Sequence, residues 1–290
     1  MNTRRIGSLD VSVIGIGCNN FGVAVDAAGT AGVVGAALDA GVTYFDTAAA
    51  YGEGRSEELL GAALTGRRDE AVIATKWGHP SSLAGGERGG DPAVVRASLE
   101  ASLRRLGVET VDHFQLHRPD PGTPIAETLG ALDELRAEGK LRETGATVFT
   151  AAEIDDAAST AAHTGRRPLA SIQNHYSLLT RTPERDGVLD ACRRHGLAFI
   201  PFFPLEAGVL TGKYRTGEPL PAGSRMERWG ERRAGFTIAR GSSLRSAERS
   251  RATCSRPAVW HFSHVSPSTV GDAANRLTRR SSAIGSKLVA

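Results

Sequence analysis

Four residues whose side chains give up or accept protons stand at or just beyond the ends of three short apolar segments. Asp46 and Tyr51 accompany the first segment, Lys76 the second and His117 the third. Carboxylate, phenol, amine and imidazole groups held together are suited to general acid–base chemistry. Taken singly, each residue also has a structural interpretation, since Asp46 could cap a helix, Lys76 could be solvated and His117 could be a hydrogen-bonded rim residue.

The elements that must position these residues alternate regularly from Val11 to about Lys213. Short apolar or β-branched runs, bounded by Gly, Asp or Pro, are too short for helices and predict strands. The seven predicted strands are Ser12–Ile16, Thr43–Asp46, Val72–Lys76, Val111–His117, Glu143–Val148, Ser171–Asn174 and Ala198–Phe203. The segments between several of them have the apolar spacing and glycine stops of helices. Helices are predicted over Val95–Leu106, over Ile125–Leu135, from the capping box Thr150–Glu153, and near Glu184–His195.

Seven strands, each followed by a helix or a long connection, predict βα units and a mostly parallel sheet. An open doubly wound sheet and a closed (β/α)8 TIM barrel both fit this pattern. The barrel is favoured, because chemistry-bearing residues follow several strands rather than one switch point. In a barrel all four residues face one rim. Met1–Leu9, which precedes the first strand, is expected to form a hairpin at the opposite end.

Composition excludes several classes of protein. The chain is 40% hydrophobic and 23% charged, as ordinary globular proteins are. It has no apolar run of membrane-spanning length and no signal-peptide pattern, so neither membrane insertion nor export is expected. Three distant cysteines without a CxxC motif fit a reducing cytoplasm, and the histidines form no HExxH motif, so no metal is expected.

The four residues together resemble the catalytic tetrad of the aldo-keto reductases. The resemblance extends along Gly41-Val-Thr-Tyr-Phe-Asp-Thr-Ala-x-x-Tyr-Gly-x-Gly-x-Ser-Glu-x-x-Leu-Gly and continues at 173–179 and 204–214. It covers about residues 4–230. It implies a (β/α)8 barrel that reduces a small aldehyde or ketone with NADPH. A catalytically silent barrel that acts as a binding or regulatory subunit is the alternative.

The resemblance also implies a role for each member of the tetrad. Tyr51 would protonate the carbonyl oxygen as hydride arrives at carbon. Because a phenol titrates near pH 10, too high for an efficient acid at neutral pH, Lys76 is expected to lower the pKa of Tyr51. Asp46 would fix Lys76, and His117 would hold the carbonyl oxygen.

Cofactor contacts are implied at the ends of the fifth, sixth and seventh strands. Gln173 would bind the nicotinamide carboxamide, and Phe202 would stack on the ring where the family usually has Tyr. Thr147 and Val148 stand where the family usually has Ser and Asn, so one amide partner is lost. A segment expected to fold over the pyrophosphate supplies the remaining contacts, which are Pro204, Leu205, Gly208, Leu210, Gly212 and Lys213.

The resemblance ends at about residue 236, which divides the chain into a barrel, 1–236, and a divergent segment, 237–290. That segment has nine Lys and Arg residues against two acidic residues. The last βα unit is therefore expected to be degenerate or missing, with the first and seventh strands left unpaired at their edges. The segment could be a natural extension, a nucleic-acid-binding arm or the product of a reading-frame error.

Enrichment in Ser, Arg and Pro favours the reading-frame error, because a GC-rich gene gives these residues when it is read out of frame. The ending 283–288 resembles the family's own C-terminus, as if the frame were restored. This interpretation explains the basic charge without a nucleic-acid partner.

Overall fold

A computed structural model describes residues 1–214, 218–229 and 260–262, which form an α/β fold. Its strands are β1 (Thr3–Ile6), β2 (Leu9–Ser12), β3 (Ile14–Gly17), β4 (Tyr44–Asp46), β5 (Val72–Trp77), β6 (Val111–Leu116), β7 (Leu141–Thr147), β8 (Ser171–His175), β9 (Ala198–Phe202) and β10 (Trp260–Phe262). Its α-helices are α1 (Ala27–Asp39), α2 (Arg55–Ala63), α3 (Pro92–Leu106), α4 (Ile125–Ala137), α5 (Ala151–Thr164), α6 (Thr182–Arg185), α7 (Val188–Arg194) and α8 (Arg225–Trp229). All seven predicted strands are present. Their bounds differ from the predicted ones by one or two residues at most, and Ser12 belongs to β2, where it pairs with Thr3 outside the main sheet.

The main sheet is parallel and follows chain order from β3 to β9. Each connecting helix returns the chain so that the next strand starts beside the previous one, as in a TIM barrel. The predicted TIM-barrel-like α/β fold is therefore confirmed. Because the strands are parallel, their carboxyl ends all lie at one rim.

The position of an eighth strand is occupied. Trp260–Phe262 pairs in parallel with Ile14–Ile16 of β3, and its Cα atoms also come within 8 Å of β9. The prediction that β3 lacks a neighbour at this edge is wrong, because three residues of extended backbone supply the pairing whatever their side chains. The predicted boundary near residue 236, and the divergent segment 237–290 apart from β10, lie outside the described residues.

Capping residues in the sequence determine where several helices begin and end. α3 stops at Gly107, whose φ of +65° is left-handed. α5 begins at the predicted capping box, in which Thr150 and Glu153 exchange backbone-to-side-chain hydrogen bonds. The helix predicted near Glu184–His195 is wrong as a single element, because Gly187 at φ +77° separates α6 from α7.

The N-terminal hairpin closes the end of the barrel opposite the carboxyl rim, as predicted. β1 and β2 pair antiparallel, and Ile6, Leu9 and Val11 are almost completely buried against interior side chains of β4, β5 and β9. The amide of Ser8 donates to the Glu143 carboxylate at 2.8 Å, which holds the hairpin turn against β7.

The larger apolar core lies between the strands and the surrounding helices. Helices α2 and α3 pack closely at Gly61, the last residue of the motif that begins at Gly41, because a Cβ atom on Gly61 would overlap the Leu106 carbonyl. Within the part of the chain that the structure describes, every helix is too short or too polar to cross a membrane.

Candidate active site

The structure brings the four predicted tetrad residues together at the carboxyl rim of the barrel. Asp46 is the last residue of β4, Lys76 lies one residue before the end of β5, and His117 directly follows β6. Tyr51 begins a 3-10 turn that ends at Gly54. Three neighbouring parallel strands thus deliver four acid–base groups to one place.

Asp46 and Lys76 form a buried ion pair at the centre of the site. Their exposures are 0% and 1%, and Asp46 Oδ2 lies 2.5 Å from Lys76 Nζ. Nζ also donates to the Thr47 carbonyl at 2.9 Å and approaches the Tyr51 hydroxyl at 3.4 Å. Asp46 is therefore not a helix cap and Lys76 is not solvated. Buried charges are tolerated when paired and hydrogen-bonded in this way.

The loop that carries Tyr51 is attached to the strand that carries Lys76. The amide of Thr47 donates to the Ala74 carbonyl at 2.8 Å, and the amide of Ala49 donates to the Lys76 carbonyl at 3.2 Å. This attachment places Lys76 Nζ 5.0 Å from the centre of the Tyr51 ring. The geometry of Tyr51 and Lys76 is thus set by backbone pairing as well as by their side chains.

Two further polar residues of the family-like motif hold α2 in place behind Tyr51. Ser56 donates to the Cys18 carbonyl at 2.8 Å. Glu57, which is fully buried, accepts from the Thr75 hydroxyl at 2.5 Å and from Arg105 Nε at 2.6 Å. Neither residue was predicted to have a role, and their contacts show that the 41–61 motif positions the start of α2 as well as the tetrad.

His117 is neutral at physiological pH. Burial and the positive charge of Lys76 lower its pKa to about 2. Its ring meets the Tyr51 ring edge-on with centroids 5.7 Å apart, and its buried Nδ1 has no hydrogen-bond partner among the described residues. A neutral imidazole in this position can direct a hydrogen bond to an oxygen, but it is not a cationic acid.

Lys76 lowers the pKa of Tyr51, as expected, but it does not bring that pKa below the value of a free phenol. Burial raises the pKa of Tyr51, the charge of Lys76 lowers it by less, and the charge of Asp46 adds to the rise. For Lys76, burial alone would lower the pKa, but the charge of Asp46 and the contact with Tyr51 leave it above its ordinary value. At neutral pH the pair is therefore a protonated phenol beside an ammonium group.

Two glutamines inside the barrel complete the surroundings of the carboxylate. Gln115 Nε2 lies 2.9 Å from Asp46 Oδ1, and Gln173 Nε2 lies 3.4 Å from Asp46 Oδ2. Both come from strands that alternate with β4 around the barrel, as side chains of one interior layer do. Gln115 was not predicted as a site residue, although it lies two residues before His117 on a predicted strand and therefore shares its face.

The predicted nicotinamide-binding residues lie on adjoining strand ends. Gln173 is buried near the end of β8, and the Thr147 hydroxyl donates to the His117 carbonyl at 2.5 Å. Phe202 is half-buried at the end of β9 and stacks on His175, with ring centroids 5.4 Å apart. The stacking of Phe202 on His175 was not predicted from the sequence.

The segment predicted to cover the pyrophosphate forms a 3-10 turn over Glu206–Thr211. Its backbone is left-handed at Ala207, Gly208 and Gly212. The buried Glu206 carboxylate anchors the turn by accepting hydrogen bonds from the loop after β8. Of the other predicted contacts, Pro204 is buried, Leu210 is half-buried, and Leu205 and Lys213 are exposed.

Val148 occupies an unfavourable backbone conformation. Its φ is +62°, a region that costs an L-residue roughly 1–2 kcal/mol and is poorest for β-branched side chains. Asn tolerates this region, so we expect Val148→Asn to raise the unfolding free energy by about 1 kcal/mol and the Tm by about 2–4 °C. Thermal melting checks this, with Val23→Asn, at a highly exposed site of ordinary φ, as the control. A Val148→Asn protein no more stable than the control contradicts the assignment of strain.

Sequence and structure comparisons agree on the relatives of this chain. The profile of the aldo/keto reductase family matches residues 13–258. The chain is 34% identical over 231 residues to aldo-keto reductase yakc [NADP(+)] of Schizosaccharomyces pombe, covering 76% of this chain. It is 37% identical over 207 residues to L-glyceraldehyde 3-phosphate reductase of Escherichia coli K12, covering 69% of this chain.

A solved structure, that of a glycerol dehydrogenase from Gluconobacter oxydans, matches with a TM-score of 0.74 at 28% identity, over 94% of this chain and 89% of that one. The matched regions span 66% of the length of the S. pombe relative and 59% of the E. coli one. The family profile covers most of the chain, and the tetrad lies within it. The chain therefore belongs to the aldo/keto reductase family.

Proposed function

We propose that this chain reduces a small aldehyde or ketone to the alcohol, with NADPH as the hydride donor and Tyr51 as the general acid. The observation that carries the proposal is the buried ammonium group of Lys76. Its Nζ lies 2.5 Å from Asp46 Oδ2, which fixes it, and 3.4 Å from the Tyr51 hydroxyl. Burying an ion pair carries a desolvation penalty that the attraction between the charges only partly offsets, so a pair held at the rim points to a role there. Here it stands beside the only tyrosine hydroxyl that the described residues bring to Lys76.

The rim beside the tetrad fits a nicotinamide cofactor. Val148, Leu178 and Leu205, on the loops after β7, β8 and β9, are among the few large apolar side chains that the described residues expose. The half-buried ring of Phe202 and the buried amide of Gln173 lie near the ends of the adjacent strands β9 and β8, and a stacking face with an amide nearby suits an aromatic ring that bears a carboxamide. A nicotinamide bound there would supply the hydride, which no side chain provides.

In the proposed reaction, Tyr51 donates the proton and Lys76 stabilises the phenolate that remains. Negative charge would develop on the carbonyl oxygen during reduction, and the protonated Tyr51 hydroxyl would neutralise it. As the proton leaves Tyr51, the ammonium of Lys76 stabilises the phenolate that forms. The raised pKa of Tyr51 keeps this proton in place at neutral pH until a substrate oxygen draws it.

The neutral His117 would orient the carbonyl. Its ring stands edge-on to that of Tyr51, with centroids 5.7 Å apart, so the carbonyl oxygen would lie beside both side chains. Because the pKa of His117 is about 2, its neutral form persists across the working pH range, and Tyr51 remains the acid.

The substrate panel should include aldehydes with an anionic group. The His79 ring lies 4.8 Å from that of His117, and after burial the charge of Arg118 is a further cause of the lowered pKa of His79. The charge of Arg118 also contributes to the lowered pKa of His117, so its positive charge acts on both imidazoles. L-Glyceraldehyde 3-phosphate, for which the E. coli relatives are named, and uncharged glyceraldehyde form a matched pair for this test.

The experiment combines cofactor titration, followed by nicotinamide fluorescence, with turnover of the carbonyl panel. Binding together with consumption of NADPH supports the proposal. Binding without turnover of any carbonyl supports the silent-barrel alternative instead.

The buried free cysteines Cys18 and Cys192 suit work in a reducing compartment such as the cytoplasm.

We expect the chain to discriminate little between NADPH and NADH. The resemblance places recognition of the 2′-phosphate in a Gly-then-Arg loop after the eighth strand, and the sequence after Phe262 has no such pattern. Each missing charged hydrogen bond removes about 1.5–3 kcal/mol, so the two dissociation constants should lie within about tenfold of each other. Parallel titrations measure the ratio. Low-micromolar NADPH binding with a clear preference over NADH contradicts this expectation.

A further inference from the structure

Asp46 is held by a neutral donor as well as by Lys76. Gln115 is fully buried, stands opposite Lys76 in the β5–β6 ladder, and directs Nε2 to Asp46 Oδ1 at 2.9 Å. An ionised carboxylate only accepts hydrogen bonds, so the amide must present its NH₂ group to Asp46. The two carboxylate oxygens thus have separate partners, with Gln115 on Oδ1 and Lys76 on Oδ2.

The orientation of Gln115 leaves its own oxygen unsatisfied. Oε1 is buried without a hydrogen-bond partner among the described residues. Leaving a buried acceptor unpaired is unfavourable, and native proteins keep few such groups. Among the described residues, the one hydrogen bond of this buried amide side chain is therefore to the Asp46 carboxylate.

Gln173 does not duplicate this contact. Its amide lies 3.4 Å from Oδ2, the oxygen already bound by Lys76, and it is the residue proposed to bind the nicotinamide carboxamide. Gln115 is buried beneath the rim and is the closer of the two amides to Asp46. One amide is suited to the cofactor and the other to the catalytic carboxylate.

We propose that Gln115 is a positioning residue of the reductase, which acts through Asp46 to keep Lys76 oriented beneath Tyr51. This inference rests on the proposed function. A hydrogen bond to the ionised form favours that form, so Gln115 keeps Asp46 a carboxylate and Lys76 an ammonium. The other titratable groups whose pKa depends on Asp46 are Cys18, Tyr44, Tyr51, Lys76, His113 and His117.

Gln115→Met removes the donor and preserves the approximate volume. We expect kcat to fall about 10- to 100-fold, as for loss of one hydrogen bond to a charged group, with little change in cofactor affinity. Without its donor, Asp46 takes up a proton at higher pH. The acid limb of the kcat profile should therefore move to higher pH than in the wild type.

Gln115→Glu gives the opposite pH dependence. A protonated Glu can donate to Asp46, so activity at low pH should approach that of the wild type. As pH rises, its ionisation places two carboxylates face to face, and activity should be lost on the alkaline side. Circular dichroism at each pH separates this loss from unfolding.

Ser171→Ala is the matched structural control. It removes the 2.9 Å hydrogen bond between the Ser171 hydroxyl and His113 Nε2 in the interior of the same barrel. His113 lies two residues before Gln115 on β6. This variant should lose stability and keep the wild-type pH profile. If Gln115→Met also loses only stability, Gln115 is structural and the proposal is wrong.

Crystal structures of the wild type and Gln115→Met give a readout without turnover. We expect the Asp46 carboxylate to rotate and its distance to Lys76 Nζ to lengthen in the variant. If the wild type reduces no carbonyl, the proposed function fails, and these structures still decide the placement of Asp46. An Asp46–Lys76 pair unchanged in Gln115→Met overturns the proposal, whereas a displaced pair supports it.

Discussion

Tyr51→Phe is expected to abolish carbonyl reduction and to leave cofactor binding nearly unchanged. Under the proposed mechanism, Tyr51 supplies the proton that the carbonyl oxygen needs, and neutral His117 cannot replace it at working pH because its pKa is about 2. General acids contribute about 10²–10⁴-fold, so kcat should fall by about that factor. Steady-state kinetics with NADPH and the best carbonyl of the panel measure the loss, and fluorescence titration measures the cofactor.

Tyr176→Phe is the control for the loss of a buried phenol hydroxyl. Tyr176 is buried near the same rim, but its hydroxyl donates to Glu184 rather than to the tetrad. This variant should keep the wild-type rate. Retention of more than about a tenth of wild-type kcat by Tyr51→Phe contradicts the assignment of the acid.

Lys76→Met is expected to lower kcat by about 10²–10³-fold, the size found when one preorganised electrostatic group is removed. The pH dependence identifies the role of Lys76. The charge of Lys76 lowers the pKa of Tyr51 within a site whose burial raises it. Without Lys76, Tyr51 keeps its proton to higher pH, so the alkaline limb of the kcat profile should move upward. If the alkaline limb of the kcat profile lies at the same pH in Lys76→Met as in the wild type, this role of Lys76 is contradicted.

Folding must be separated from chemistry in this experiment. Lys76→Met leaves the buried Asp46 carboxylate without its cation, which typically costs about 3–5 kcal/mol of stability. The double variant Lys76→Met/Asp46→Asn removes both charges and should restore much of that stability. It should nonetheless remain as slow as Lys76→Met, whereas Asp46→Asn alone should do less harm to kcat.

The fold and the positions of the tetrad could be predicted because their signals are local. Short apolar or β-branched runs bounded by Gly, Asp or Pro predicted the strands, and their order in the chain placed Asp46, Lys76 and His117 on one rim. The capping box at Thr150 fixed the start of α5. The resemblance to aldo-keto reductases added the grouping and the roles, which residue types alone left open.

The remaining features depend on three-dimensional surroundings. The contact of Gln115 with Asp46 joins strands far apart in the chain, and a glutamine on a strand has no signal for such a partner. The pKa of Tyr51 reflects competition between burial and two opposite charges, and the sequence analysis considered only Lys76. The left-handed Val148 opposes its own backbone preference, so no propensity could have located it.

The most direct test of the central claim is transfer of deuterium from NADPH labelled at the nicotinamide C4 position to a carbonyl of the panel. The alcohol is then analysed by mass spectrometry, with wild type and Tyr51→Phe in parallel. The account predicts deuterium on the carbinol carbon of the wild-type product and almost no product from Tyr51→Phe. Wild-type protein that binds NADPH and forms no deuterated alcohol, or a Tyr51→Phe protein that forms it at the wild-type rate, would contradict the account.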